Sequence, residues 1–221
     1  MSINPYKALL FDFDGVVAET LPFHLAAWRN TLLAYGADFD ENVILQNEGR
    51  QVLDMAARIL TNAGLKVDGR VIRQIVDQKN RLFRSSQKAK IYPELWDILL
   101  SAVERGYKTA LVTGTVEENI HAVMPQDLYN MFNAIIDGNS VTQGKPAPDP
   151  YLMAADRLGI SASDCIVIEN APMGIQSAHA AGMFCIAICT TLGREQLNKA
   201  DVKLSNHQEL QVFLDQHVFY E

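Results

Sequence analysis

Basic side chains are in short supply. The chain has 221 residues with 19 Lys and Arg against 26 Asp and Glu, a formal charge of −7, and nowhere are the cations gathered into a patch. A nucleic-acid partner is therefore not expected. Cysteine is scarce as well. Cys165, Cys185 and Cys189 are an odd number, unsuited to a disulfide framework and in keeping with a reducing cytoplasm. Cys185 and Cys189 lie in an apolar run with no His or Cys pair at zinc-finger spacing nearby, so they read as small core residues. Long hydrophobic runs are missing too. The first, from Lys7, is stopped by Asp12, too early for a signal peptide, and no window is long enough to span a bilayer. A cytoplasmic protein without a membrane partner is expected, monomeric by default.

What is present is a series of short apolar runs, each ending in polar residues. Lys7 to Phe13 ends in an acidic, glycine-containing turn, Tyr107 to Val112 at Thr113-Gly114-Thr115, and Cys165 to Ile168 at Glu169-Asn170. Phe132 to Ile136, Phe184 to Cys189 and Val202 to Leu204 read as further strands. Between them, Glu94 to Arg105, Val116 to Met124, Pro150 to Leu158 and Pro172 to Ala181 space their apolar residues about one turn apart, as helices do. Alternating strands and helices predict an α/β fold with a doubly wound parallel sheet. Ligands of such sheets bind beyond the carboxyl ends of the strands, where these polar groups would converge.

From 17 to 86 the alternation stops. Leu21 to Tyr35, Gln51 to Ala63 and Val71 to Phe83 read as helices, and no strand pattern appears. About 70 residues is too long for a strand-to-helix loop. The stretch is read as an inserted helical cap domain, 17–87, with linkers near Val17–Thr20 and Ser85–Lys90. The catalytic core is then 1–16 with 88–221.

The strand-end residues suggest phosphoryl transfer. A carboxylate at Asp12 can attack phosphorus and form an aspartyl-phosphate. Asp14 can protonate the leaving oxygen and then activate water. Nucleophile and phosphate are both negative, and a divalent cation on both removes the repulsion, hard oxygen ligands favouring Mg²⁺. An Asp-x-Asp pair also caps turns and helices. The Thr113 hydroxyl, with the N–H groups of Gly114 and Thr115, could hold phosphoryl oxygens; equally, Thr113 could cap a helix. Lys145, stiffened among Pro146, Pro148 and Pro150, could neutralise phosphate and pair with Asp12, or be a solvated loop lysine. Glu169 and Asn170 offer oxygen ligands or a cap.

Together, Asp12-x-Asp14-Gly15-Val16, Thr113, Lys145-Pro146 and Glu169-Asn170, with Gly174 and Ala180-Ala181-Gly182, resemble the haloacid dehalogenase superfamily of phosphohydrolases. The resemblance runs through the whole core, and the helical insertion is similar to that superfamily's small cap. It implies that Asp12 is nucleophile and metal ligand, and that Asp14 is general acid/base with its backbone carbonyl on the metal. Thr113 and Lys145 would bind phosphate, and Glu169-Asn170 would complete a Mg²⁺ shell. Two positions depart from the pattern. Asn170 stands where an acid is usual, which removes a charge from the shell. Glu19-Thr20 replaces Asp-Ser or Asp-Thr and is read as a hinge.

In the insertion, His24, Lys79-Asn80 and Arg50 are candidate substrate contacts. His24 and Lys79 match the β-phosphoglucomutase-like branch. Glu48 resembles an acid of a pyrophosphatase-like variant, where it joins the metal shell, and here it would supply the charge lost at Asn170. Glu48 would also repel the second phosphate that a mutase must hold. Hydrolysis of a small phosphorylated metabolite or of pyrophosphate is therefore expected ahead of β-phosphoglucomutase chemistry. The non-enzymatic alternatives are a phospho-acceptor switch and a ligand-binding module.

Overall fold

A computed structural model describes residues 6–38, 40–45, 47–65, 68–85 and 89–219. Its main sheet has six strands in the order β5-β4-β1-β6-β7-β8. These are β1 (Ala8–Phe11), β4 (Lys108–Val112), β5 (Ala134–Ile136), β6 (Cys165–Glu169), β7 (Phe184–Ile188) and β8 (Val202–Leu204), and every neighbouring pair is parallel. The α/β doubly wound class expected from the sequence is the fold found.

β1 is apolar throughout because the sheet is covered on both faces, as parallel sheets are. Its residues alternate between two cores. Leu9 and Phe11 pack with helices α5 (Glu94–Glu104) and α10 (His207–His217), through Leu95, Ile98, Leu210 and Leu214. Ala8 and Leu10 face α8 (Asp149–Leu158) and α9 (Pro172–Ala180), through Tyr151, Ala154, Ile175 and Ala178. Register then fixes the site. Phe11 lies level with Leu111 on β4 and Ile168 on β6, so Asp12, Thr113 and Glu169 emerge together at the carboxyl edge. From β1, successive strands go to opposite sides of the sheet, which opens a crevice beside Asp12.

Among the described residues, four helices follow β1 ahead of α5: α1 (Leu21–Ala34), α2 (Glu41–Leu45), α3 (Val52–Asn62) and α4 (Gly69–Ser85). They bury a core of their own, built on Trp28, Leu32, Ile44, Met55, Ile59 and Ile75. The sequence showed no strand here, yet a short antiparallel ribbon forms at the base, β2 (Ala18–Glu19) on β3 (Lys90–Ile91). Two residues are too few to show a period of two. Near the ribbon, the expected boundary between 87 and 88 lies outside the described residues. Two short helices, α6 (Glu117–His121) and α7 (Gln126–Tyr129), follow β4. Cys165, Cys185 and Cys189 are free thiols. Among the described residues no helix is long and apolar enough to cross a membrane.

Candidate active site

The centre of the site is a buried lysine. Lys145 Nζ donates to Asp12 Oδ1 at 2.6 Å, to Glu169 Oε1 at 2.7 Å and to the Val112 carbonyl at 2.9 Å. An ammonium has three N–H donors, and all three are used. Lys145 follows β5 in a loop whose Lys145–Pro146 peptide is cis, and it is 2% exposed. Burial works against its charge, but Asp12 and Glu169 more than compensate, and Lys145 is held protonated. Asp12 is pushed upward: burial, with the charges of Glu169 and Asp14, outweighs the help from Lys145.

Glu169 is turned inward. Tyr151 Oη joins Lys145 on Oε1 at 2.9 Å, and the N–H groups of Asn170 and Ala171 reach Oε2 at 2.9 and 3.0 Å. Gly174, in the first turns of α9, makes this possible, because a Cβ there would overlap the Glu169 carboxylate. The expectation of an open metal ligand at Glu169 therefore meets a carboxylate with four hydrogen bonds. Its geometry suits holding Lys145.

Asp14 has its own set of donors. Thr20 Oγ1 and His24 Nε2 reach Oδ1 at 2.6 and 3.1 Å, and Thr115 Oγ1 and Thr113 Oγ1 reach Oδ2 at 2.7 and 3.4 Å. Burial would raise the Asp14 carboxyl; His24, with the Thr20 and Thr115 hydroxyls, reverses this and holds it well below the usual carboxylate range. Thr20, read from the sequence as a hinge, is thus a direct partner of Asp14. The Thr115 N–H, expected to face phosphate, donates instead to Thr113 Oγ1 at 3.0 Å.

From Asp14 a relay runs into the helical insertion. Lys79 Nζ lies 2.7 Å from His24 Nδ1. Protonated lysine can only donate, so Nδ1 accepts and the ring proton sits on Nε2, aimed at Asp14. Burial and the nearby Lys79 charge both lower the His24 pKa, in keeping with a neutral ring. Phe83 stacks on the imidazole at 4.1 Å and fixes its plane. Asn80, expected to touch substrate, points elsewhere: its Oδ1 accepts from Asn119 Nδ2 at 3.0 Å, and Asn119 Oδ1 accepts from Arg84 at 2.8 Å.

Asp14, His24, Lys79, Glu48, Arg50, Gly114 and Thr115 line one cavity of about 60 Å³. Apolar side chains complete its lining: Leu21, Trp28, Ile44, Val52 and Met55. Arg50 is engaged by Asp54 at 2.8 Å and Asn47 at 2.9 Å. Glu48 crosses to the core, accepting from Asn170 Nδ2 and Thr191 Oγ1, both at 3.2 Å. Burial first, then the charges of Asp12 and Asp14, push Glu48 well above the normal carboxylate range.

These residues fit a divalent cation. Asn170 Oδ1 is buried with no hydrogen-bond partner among the described residues, which is costly unless something else binds it. Buried carboxylates at Asp12 and Glu48 repel each other for want of positive charge. No three His, Cys, Asp or Glu side chains converge on one point among the described residues. The donor set that fits includes the Asn170 amide. Hard oxygens of this kind suit Mg²⁺.

Sequence reading missed Tyr151, Thr191 and Asn119. Each is a common residue type whose role depends on distant partners, as with Tyr151 Oη on Glu169 and Asn119 on Asn80.

A family model described as haloacid dehalogenase-like hydrolase matches residues 6–182. The chain is 32% identical over 180 residues to the fructose-1-phosphate phosphatase YqaB of Escherichia coli, covering 80% of this chain and 94% of that one. It is 28% identical over 189 residues to the β-phosphoglucomutase of Bacillus subtilis, covering 82% and 83%. Among solved structures it is similar to a putative β-phosphoglucomutase from Bacteroides vulgatus, with a TM-score of 0.85 at 27% identity, covering 97% and 89%.

Proposed function

The chain belongs to the haloacid dehalogenase-like hydrolases and is an enzyme, and from that membership we propose that it is a magnesium-dependent phosphatase of small sugar-phosphate esters. The observation that carries this reading is the separate support of two carboxylates: Asp12 on Lys145, Asp14 on Thr20, Thr115 and His24. One is oriented as a nucleophile, the other as an acid/base.

In the proposed reaction Asp12 attacks phosphorus, the P–O bond to the alcohol breaks, and an aspartyl-phosphate forms. A proton carried in on the substrate's phosphate monoanion passes through Asp14 to the departing alkoxide, and Asp14, again a carboxylate, takes one from the water that attacks the aspartyl-phosphate. This second step returns Asp12 and releases orthophosphate. Lys145 keeps Asp12 in place and offsets charge on the phosphoryl oxygens, and Glu169 orients Lys145. Thr113 holds the Thr115 loop beside Asp14. Mg²⁺, held by Asp12, Asn170, Glu48 and the Asp14 carbonyl, would neutralise the repulsion between carboxylate and phosphate. The helical insertion, 17–87, acts as a cap whose His24, oriented by Lys79, donates to Asp14 and holds it as the carboxylate that accepts a proton from water.

The cavity favours an ester over pyrophosphate. Its apolar lining of Leu21, Trp28 and Met55 suits the carbon face of a sugar, whereas a bare phosphate would lie against it without donors. A mutase reading draws support from the likeness to β-phosphoglucomutase. Against it, the second phosphate of a bisphosphate would meet Glu48 and an Arg50 already paired with Asp54.

The test is a panel with Mg²⁺: fructose 1-phosphate, glucose 6-phosphate, both glucose 1-phosphates, glycerol phosphate and pyrophosphate. Orthophosphate release from a sugar phosphate should exceed release from pyrophosphate, and Asp12→Asn should abolish it. Conversion of β-glucose 1-phosphate to the 6-phosphate without phosphate release would overturn the hydrolase reading.

A further inference from the structure

Gln51 immediately precedes α3 and ends the loop that carries Glu48 and Arg50. At this position a side chain commonly caps the helix, yet Gln51 makes no cap bond. Its amide leaves the helix and crosses to the core. There Nε2 donates to the Val141 carbonyl at 2.7 Å and to the Gly138 carbonyl at 3.0 Å. One amide group has two N–H donors, so a single side chain serves both carbonyls.

The carbonyls lie in the loop after β5, which backs onto the loop of Thr113 to Thr115: the Gly138 N–H donates to the Thr115 carbonyl at 3.0 Å. Two glycines let the surfaces meet this closely. A Cβ on Gly144 would stand 2.5 Å from Gln51 Cγ, and one on Gly114 would overlap the Arg50 carbonyl. The core side of the contact is therefore shaped to admit the loop, and the amide of Gln51 bonds across it.

We infer that Gln51 is a positioning residue, whose side-chain amide pins the loop of residues 48–51 to the core and thereby sets Glu48 and Arg50 against the cavity beside Asp14. Released from the core, this loop would carry Glu48 and Arg50 away from the cavity, and substrate would bind only the fraction of molecules in which it is docked. The loss then falls on KM more than on kcat. Loss of two hydrogen bonds between neutral groups predicts about a tenfold fall in kcat/KM.

The inference rests on the phosphatase reading for its kinetic arm alone; the other arm needs no turnover. Gln51→Met keeps the length and removes the donors. Gly144→Ala crowds the same contact from the core side. With p-nitrophenyl phosphate and Mg²⁺, both variants should lose about tenfold in kcat/KM, mainly through KM. Hydrogen exchange of the full-length protein with Mg²⁺ should quicken in the segments 47–51 and 137–144, with β1 unchanged. Exchange in those segments equal to the parent's would overturn the inference, as would a loss confined to kcat. Failure of the substrate assignment would leave the exchange result standing.

Discussion

Replacing Lys145 with methionine removes the cation on which the site's buried charge is built. Lys145 Nζ lies 2.6 Å from Asp12 and 2.7 Å from Glu169, all three side chains nearly inaccessible to water. Methionine fills similar volume but leaves two carboxylates facing each other without a counter-ion. Breaking a buried pair in this way costs about 3–5 kcal/mol. At about 2–4 °C per kcal/mol for a chain of this size, the melting temperature should fall by about 6–20 °C. The loss depends on pH. Asp12 already titrates above its unfolded value, through burial, and without Lys145 it is raised further. The folded variant then holds a proton that the unfolded chain has released. Stability from this source is complete below the unfolded pKa and disappears as pH rises through the folded one. The deficit against the parent should thus be larger at about pH 8 than at about pH 5.5. Calorimetric melts of the metal-free proteins at both values measure it. A deficit independent of pH, or a variant as stable as the parent at the higher value, would refute the reasoning.

Two further outcomes follow from the same geometry. Asn170→Asp places a carboxylate where an amide donates to Glu48 at 3.2 Å, so the metal-free variant should melt lower. Mg²⁺ should in turn bind more tightly by titration calorimetry, because the shell gains a negative charge, and an unchanged affinity would remove Asn170 from the metal shell. Burial, together with Arg84 and against Asp14, lowers the Lys79 ammonium to about 8. The kcat/KM profile should therefore fall above about pH 8 as the charge facing the cavity is lost. Lys79→Arg, which stays charged, should lack that limb; a limb that persists there belongs to another group.

The core was readable because parallel strands covered on both faces appear as apolar runs, and polar residues follow β1 and β4 directly and close β6. Parallel register then makes those ends coincide, so Asp12, Thr113 and Glu169 could be grouped before any coordinate was known. The division of labour was less legible. Glu169 and Asn170 are adjacent in sequence, yet one carboxylate is filled by Lys145, Tyr151 and two backbone N–H groups, while the neighbouring amide oxygen is left open. Only the direction of each side chain separates them, and that is set by Gly174 and by Tyr151 on α8. Asn80 shows the same limit. It lies beside Lys79 in sequence, but successive residues of a helix point about 100° apart, so Lys79 meets His24 while Asn80 meets Asn119. The β2–β3 ribbon and the short α2 carried too few residues for a pattern.

The central claim is that Asp12 takes the phosphoryl group, and trapping that group tests it most directly. p-Nitrophenolate departs without a proton, so an Asp14→Asn variant should still be phosphorylated by p-nitrophenyl phosphate while lacking the base for hydrolysis. Quenching that reaction, reducing with borohydride and sequencing the peptides by mass spectrometry marks the acyl-phosphate as homoserine. The account predicts homoserine at position 12. Homoserine at another aspartate, or none at all while p-nitrophenol is released, would contradict it.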